Sequence, residues 1–591
     1  MIVGPSDPVV RPPPPPTGNR PTPRILTCLL GHAAAAAAAA ATDCASLLGH
    51  TFSNGTASVV LATDMPAGTN FSTDGFSTTG DPDLPGFCRV SLRIQISPET
   101  SATAEVWLPE PDTWNTRLLT VGNGGFAGSV NYVDIAWGLR KGFATTSTDT
   151  GHTSSGGDAS WMLHHPGRTI DWAHRALHLT VVAANQVVAA YYHPAQTQTG
   201  HQQQPYSYYA GCSTGGRQGL AALQRYPADF DGVLAGSAIP WQTHTSAWQM
   251  YAALLQYPSS RSSFIPADLW ASLISPAVME QCDAALDGMA DGVIMDPSRC
   301  EFRPEVLRCG KNGKGEANNT TTADTTGTAC LTQDQVLNLE RLYRPWLTSS
   351  GQLLNPGISP GGESSFATLM NSAEPLFGPE FYRNAVYNDT AWDWRTLAAP
   401  DIALADAINP GGANAYDPDL RPFESRGGKC CTIHYHGYAD PLIPSLNAAA
   451  FHDLVHEFYE NTVGRAAGDV DAFYRLFMVP GMGHCSGGSG AWTLDGAGQG
   501  GHPLTVNGSS HSLLYSLVDW VEGAAITNNS SATNGVSAPE FIIGTKFVND
   551  TPALGVSFTR PICRWPQTAV YDGVGDVNDA ASWECPTAGT Y

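Results

Sequence analysis

The sequence predicts an α/β fold, a parallel sheet carrying a large inserted lid, and three observations lead there. The stretch YYAGCSTGGRQG, Tyr208 to Gly219, contains Gly211-Cys212-Ser213-Thr214-Gly215. This G-x-S-x-G pattern marks a sharp strand-to-helix turn that lifts a serine hydroxyl clear of a sheet edge. Strand-like and helix-like runs alternate around it, which is the pattern of a parallel sheet with crossover helices. An aspartate and a histidine follow the serine in the order Ser…Asp…His, each just after a later strand-like run.

The chain has 591 residues, of which 42% are hydrophobic and 14% charged, enough apolar content for a large core. The 53 acidic against 30 basic residues give a net charge of −23. That excludes a nucleic-acid partner, whose affinity comes chiefly from Lys and Arg on phosphate. Thirteen cysteines point to disulfides and an oxidising compartment. Nine Asn-x-Ser/Thr sequons, at Asn54, Asn70, Asn318, Asn319, Asn388, Asn507, Asn528, Asn529 and Asn549, agree with that setting. Residues 1–41 hold Arg20 and Arg24, then ILTCLL, then alanines from Ala33 to Ala41. That reads as a secretory signal cleaved near Ala41, or else as a low-complexity tail, since the Pro12 to Pro16 run is foreign to signals. No later stretch is long and apolar enough to span a membrane, so a secreted, extracellular protein is expected.

Taken in order, Cys44 to Pro109 reads as short β-runs (TASVVLAT, FCRVSLRIQI, AEVWLP). RLLTVGNGG is an apolar strand ending in a glycine loop, Gly122 to Gly128, and GFATTSTDTGH is the next strand. Asp171 to Tyr192 has apolar residues at helical spacing and the length of a crossover helix. After the serine turn, RQGLAALQRYP forms a helix and FDGVLAGSAIP a strand. Residues 42–240 are therefore the first part of the sheet domain. Residues 241–421 are too long for a connection and carry four cysteines, several tryptophans and polar runs, so they form the inserted lid. Residues 422–591 complete the sheet through KCCTIHYHGYADP, a helix around Ala448 to Glu460, FYRLFMVPGMGHC and the closing helix SLLYSLVDWVEG.

A serine turn needs a base and an orienting acid. His484 follows the last strand through Gly481-Met482-Gly483, and Asp440 ends the strand TIHYHGYA. In this reading His484 deprotonates Ser213 and later protonates the leaving alcohol, while Asp440 fixes its tautomer. The oxyanion hole takes the N–H of Thr214 and one from the glycine loop, at Gly124 or Gly125. That loop lacks the helix-opening lysine of a phosphate cradle. His434 and His436 alternate on one strand and share a face, which fits a metal pair or, with no third ligand evident, packing in the core or behind the catalytic groups. Trp241, Trp248, Trp270, Trp392 and Trp394 are either substrate-stacking or core residues.

With these residues placed, the chain resembles the tannase and feruloyl esterase family of fungal secreted carboxylesterases. The resemblance rests on GCSTGGRQ, HGYADPLIP and FYRLFMVPGMGHC, with GNGGFAG, KGFATTSTDTGH, CDAALDGMADGVIMDP and IIGTKFVNDTPALGVSFTRPIC. It runs from about Cys44 to Cys585. It implies an α/β-hydrolase fold with a lid and hydrolysis of small phenolic esters, such as gallates or ferulates, free or attached to plant cell-wall polysaccharide or tannin. It implies no nucleic-acid or membrane partner and no organic cofactor. The triad it implies is Ser213, Asp440 and His484, with a disulfide between Cys212 and Cys485. It also implies a structural Ca²⁺ in the lid, held by Asp283, Asp287 and Asp291 and the carbonyls of Met289 and Val293. The chain departs from the family pattern in having both Ala284 and Ala285, which leaves the part of Asp283 open. Proximity and resemblance pair Cys44–Cys88, Cys282–Cys300, Cys309–Cys330 and Cys563–Cys585, and leave Cys430 and Cys431 as buried thiols. A serine peptidase of the same fold and a catalytically inactive binding protein are the other readings.

Overall fold

The structure is a computed structural model that describes residues 42–72, 84–193, 204–310, 329–370, 374–426, 431–465, 467–502, 504, 508–526 and 538–586. The signal expected over residues 1–41 and Cys430 lie outside the described residues, as do the sequons at Asn318, Asn319, Asn507, Asn528 and Asn529.

Ten strands form the main sheet. In chain order they are β1 (Thr51–Phe52), β2 (Ala57–Met65), β3 (Phe87–Gln95), β4 (Ser101–Pro109), β5 (Arg117–Val121), β6 (Ala144–Thr148), β7 (Tyr206–Cys212) and β8 (Gly232–Gly236). Two short strands, β9 (Trp346–Leu347) and β10 (Leu353–Asn355), pair only with each other, and β11 (Cys431–Gly437) and β12 (Tyr474–Val479) return to the main sheet. The spatial order is β1-β2-β3-β4-β6-β5-β7-β8-β11-β12. From β6 to β12 every pairing is parallel, whereas β1 to β4 and the β4–β6 pair are antiparallel. The sheet is therefore mixed, not parallel throughout. The connections between β1 and β2 and between β3 and β4 are too short for a crossover, so these pairs fold back as hairpins, while β2 and β3 pair antiparallel across the longer connection from Met65 to Phe87.

The parallel strands β7, β8, β11 and β12 are almost wholly buried on both faces, β8 as an apolar run and β11 with His434 and His436 buried among apolar residues. On one face, α1 (Tyr132–Arg140), capped by the Asn131 side chain, and the closing α7 (Leu513–Ile526) cover Leu119, Tyr208, Leu234, Ile433 and Phe477. On the other, α2 (Ala176–Tyr192), α3 (Thr214–Arg225) and α6 (Leu446–Phe458) cover the opposite side chains, among them Tyr209, Val233 and Tyr474. A hairpin, β13 (Phe541–Phe547) with β14 (Val556–Cys563), and the small pair β15 (Val570–Tyr571) with β16 (Trp583–Glu584) follow α7.

Between β8 and β11 no described residue joins the main sheet. This segment brings α4 (Gln242–Gln256), α5 (Ser275–Asp287) and further short helices. One of its apolar clusters is internal, around Trp248, Trp270 and Phe366, but another mixes Ala247, Met250, Phe381 and Trp394 with Phe126, Trp161 and Trp172 of the first half of the chain. The insertion thus shares a core with the sheet domain. Trp248, Trp270 and Trp394 are core residues, while Trp241 stacks on His244 and Tyr416, and Trp392 on Tyr382 and Tyr387.

α3 packs so closely on the sheet that a Cβ at Gly216 would lie 2.3 Å from the carbonyl oxygen of Gly236. Both partners are backbone and cannot rotate aside. Gly216→Ala is expected to cost about 1–3 kcal/mol, as overpacking of a rigid core does. Chemical denaturation of both proteins checks it; an unchanged midpoint contradicts it.

Candidate active site

The carboxyl ends of the parallel strands lie side by side, with Cys212 opposite Gly236, Gly236 opposite Tyr435, and Gly437 opposite Val479. Residues following those ends converge on one edge, which is where open α/β sheets place their sites. β7 runs into Ser213 at φ 64° and ψ −122°, and α3 begins one residue later. A positive φ on a non-glycine residue is strained and has to be held by its surroundings. Here the Ser213 N–H donates to the Gly236 carbonyl at 2.9 Å, and Cys212 is bonded to Cys485.

Asp440 follows β11 and is fully buried, and each of its oxygens is used twice. Oδ1 accepts the N–H groups of Leu442 (2.9 Å) and Ile443 (3.0 Å). Oδ2 meets His484 Nδ1 at 2.8 Å and His436 Nε2 at 3.2 Å. Burial alone pushes this carboxyl up. The charge that His484 carries when protonated and the hydrogen bonds of His436 and His484 more than offset it, holding Asp440 well below the usual carboxylate range. An ionised Asp440 accepts only, so the proton of His484 sits on Nδ1 and Nε2 keeps its lone pair. His436, expected to pack in the core or behind the catalytic groups, or else to pair on a metal, shares the carboxylate oxygen that orients His484. The spacing HYHGYAD held the signal, an imidazole four residues before the acid. His434 turns to the Tyr474 hydroxyl at 2.8 Å.

Ser213 and His484 line one cavity of about 330 Å³ with Cys212, Cys485, Thr214 and the Gly122 to Gly125 loop. The expected oxyanion groups are therefore beside the serine. Thr214 opens α3, so its N–H has no partner within the helix. The glycine loop is held by the Asn123 side chain, which donates to the carbonyls of Ser129 (2.9 Å) and Thr148 (2.8 Å). Gly125 sits at φ +54°, where a Cβ would lie 2.4 Å from the Gly156 carbonyl oxygen. Phe126, Ile239, Phe377, Leu442 and Ile443 form the apolar wall. Gln242 and Gln249 of α4 also line the cavity, and each has a buried Oε1 with no hydrogen-bond partner among the described residues. None of the five tryptophans singled out in the sequence lines it.

All five expected cystine pairs form: Cys44–Cys88, Cys212–Cys485, Cys282–Cys300, Cys309–Cys330 and Cys563–Cys585. Cys431 is buried. At the end of α5, Asp283 accepts the Gly292 N–H at 2.8 Å and Asp287 the Met289 N–H at 2.9 Å. Asp283 Oδ1 and Asp287 Oδ2 are buried with no partner among the described residues. Asp291 accepts the Val293 N–H at 3.0 Å and pairs with Arg560 at 2.8 Å. Two orphaned carboxylate oxygens fit a hard cation; the Arg560 contact leaves Asp291 the most committed of the three. A different cluster, His452, His456 and Asp471, brings three metal-competent side chains together. Among the described residues no helix is long and apolar enough to cross a membrane.

Asp134, also on the cavity wall, behaves opposite to Asp440. Burial raises it to about 6, although Asn131 and the Gly498 N–H donate to it. A raised acid stabilises the fold fully below its unfolded value near 4 and loses that contribution as pH rises through about 6. Wild type should therefore lose up to about 3 kcal/mol from this group between about pH 4 and 7. Asp134→Asn should lack that component. Denaturant curves of both proteins across this range check it, and parallel curves contradict it.

A family model described as "Tannase and feruloyl esterase" matches residues 88–586. "Probable feruloyl esterase B-1" of Aspergillus flavus is 34% identical over 528 residues, covering 88% of this chain and 91% of the relative. "Probable feruloyl esterase B-2" of Aspergillus terreus is 33% identical over 545 residues, covering 91% and 94%. Among solved structures, an esterase from Aspergillus oryzae superposes with a TM-score of 0.78 at 30% identity, covering 90% of this chain and 97% of that one. Feruloyl esterase B from Aspergillus oryzae gives a TM-score of 0.77 at the same identity and coverage. Tannin acyl hydrolase from Aspergillus niger, at 19% identity and a TM-score of 0.68 over 92% and 95% of the two chains, shares the fold. With an α/β-hydrolase sheet, a serine turn at its edge and a match over most of its length, this chain belongs to the tannase and feruloyl esterase family.

Proposed function

We propose that the chain is a secreted serine carboxylesterase that hydrolyses esters of phenolic acids, hydroxycinnamic or gallic, through Ser213, His484 and Asp440. The observation that carries this reading is the 2.8 Å contact of His484 Nδ1 with buried Asp440, with His484 and Ser213 on one cavity. Ser213 Oγ attacks the acyl carbon while His484 Nε2 takes its proton. The carbonyl oxygen becomes an oxyanion that accepts N–H bonds from Thr214 and from Gly124 or Gly125. Collapse breaks the acyl–oxygen bond, and His484 returns its proton to the departing alkoxide. A water, deprotonated by the same nitrogen, then attacks the acyl-serine and releases the acid.

The phenolic class is supported by the names of the relatives and by the cavity. Phe126, Phe377 and the aliphatic wall suit an aromatic ring, and the unpaired oxygens of Gln242 and Gln249 are acceptors for a ring hydroxyl. The insertion, 241–421, is proposed as the lid, since α4 contributes part of that wall. Secretion is supported by five cystine bridges and the signal-like start of the chain.

Ser213→Ala and His484→Ala should each lower hydrolysis of methyl ferulate, coumarate, caffeate or gallate by about 10³-fold or more while the protein stays folded. A folded Ser213→Ala protein with near wild-type turnover refutes the assignment, and cleavage of peptides in preference to all four esters refutes its class. Gln249→Leu should weaken selection for a ring hydroxyl by about tenfold in kcat/KM relative to methyl cinnamate.

Asp283, Asp287 and Asp291, with the Met289 and Val293 carbonyls, are proposed to hold a structural Ca²⁺. Two buried carboxylate oxygens without partners support it. Chelation should lower the melting temperature, and Ca²⁺ alone should restore it, with no change in the pH profile of hydrolysis. Calcium-free purified protein with an unshifted melt in chelator overturns the site and leaves the triad untouched.

A further inference from the structure

α6 carries His452 and His456 one turn apart, so both rings project from the same helical face. Opposite them stands Asp471, three residues before β12. One ligand atom from each of the three lies within 4.8 Å of the others. Simple packing leaves these rings poorly served. His452 is 4% exposed, and its Nε2 is buried with no hydrogen-bond partner among the described residues. His456 Nε2 is equally unpartnered, standing 3.5 Å from Asp471 Oδ1 without making a hydrogen bond. Two orphaned imidazole nitrogens facing one carboxylate are costly unless something with vacant coordination sits between them.

The groups behind these atoms are arranged as metal ligands require. His452 Nδ1 contacts the Asp453 carboxylate at 3.2 Å, an outer partner that leaves Nε2 as the free lone pair. Asp471 Oδ2 is taken by Arg564 at 2.8 Å, which orients Oδ1 toward the imidazoles. Asp471 and His456 are each partly open to solvent.

We infer that His452, His456 and Asp471 form a site for a divalent transition cation, Zn²⁺ foremost, separate from the oxygen-only acidic cluster at the end of α5. Two imidazoles and one carboxylate suit Zn²⁺, Cu²⁺ or Ni²⁺, whereas Ca²⁺ and Mg²⁺ require an oxygen shell. The site joins α6 to the chain entering β12 and, through Arg564, to the end of β14. Its effect is therefore on stability rather than on the ester-cleaving cavity.

The test uses full-length protein stripped of metal and held in excess Ca²⁺, which keeps the acidic cluster saturated. ZnCl₂ titration by calorimetry should show one site of micromolar or tighter affinity and a raised melting temperature, with ester turnover unchanged. Cu²⁺ bound in its place should give an electron paramagnetic resonance spectrum split by two imidazole nitrogens. His452→Gln with His456→Gln should abolish both signals while ester turnover reports that the fold survives. Should that pair fail to fold, the single variant His456→Gln, at the more exposed ligand, should weaken Zn²⁺ by at least about tenfold. Absence of stoichiometric Zn²⁺ binding by wild type, or equal binding by a folded variant, overturns the site.

Discussion

The bond between Cys212 and Cys485 is the constraint on which the functional edge depends. It joins residues 273 apart in sequence, with Cα atoms 6.0 Å apart, and each cysteine adjoins a proposed catalytic residue. Closing so long a loop removes on the order of 5 kcal/mol of chain entropy from the unfolded state. The loop it closes contains β8, the whole insertion, β11 and β12, so the turn after β7 and the turn after β12 cannot separate without breaking it. Both turns are strained, with Ser213 at φ 64° and Cys485 at φ 65°. Strain of this kind persists only where neighbours over-determine the backbone, and a covalent tie between the two turns does that.

Two carboxylates on one edge then acquire opposite characters from their surroundings. Asp440 receives two backbone N–H groups and two imidazoles and stays ionised despite complete burial. Asp134 receives an amide and one backbone N–H, both neutral donors, and burial wins. The difference lies in how many donors reach the group and whether they carry charge. His436 matters here because it is a second imidazole on the oxygen that orients His484. It fixes the carboxylate plane from the core side, while His484 reaches it from the cavity side.

Much of this was legible in the sequence because the chemistry is local. G-x-S-x-G flanked by strand and helix fixes the serine turn, and GNGGFAG, HGYADP and VPGMGHC each follow a short, largely apolar run of strand length. What was not legible depends on tertiary contact. The first four strands alternate like any others, and the long connection from Met65 to Phe87 leaves the relative direction of β2 and β3 open. The β13–β14 hairpin was visible as a family motif but not as structure. The role of His436 required knowing that the chain after β11 turns back on itself, and the orphaned nitrogens of His452 and His456 depend on Asp471 arriving from another segment. The tryptophans of the insertion carry large apolar area, which buries them in its cores rather than in the cavity.

The insertion and the sheet divide the work unequally. The sheet supplies Ser213, His484, Asp440 and the glycine loop, all fixed to strand ends by backbone hydrogen bonds and a disulfide. The insertion supplies Gln242, Thr245, Ser246 and Gln249 from one face of α4, and Phe377 from a later turn. These five line the cavity and contribute nothing to proton transfer. In the proposed reading, ring substituents are read by side chains of this segment. Phe377 also packs edge-on against Phe126 of the glycine loop, with ring centroids 5.7 Å apart. That contact couples the two parts: a larger or smaller side chain at residue 377 shifts Phe126, and with it the loop that carries Gly124 and Gly125. The proposed acyl-selecting wall and the proposed oxyanion loop therefore meet at one aromatic pair.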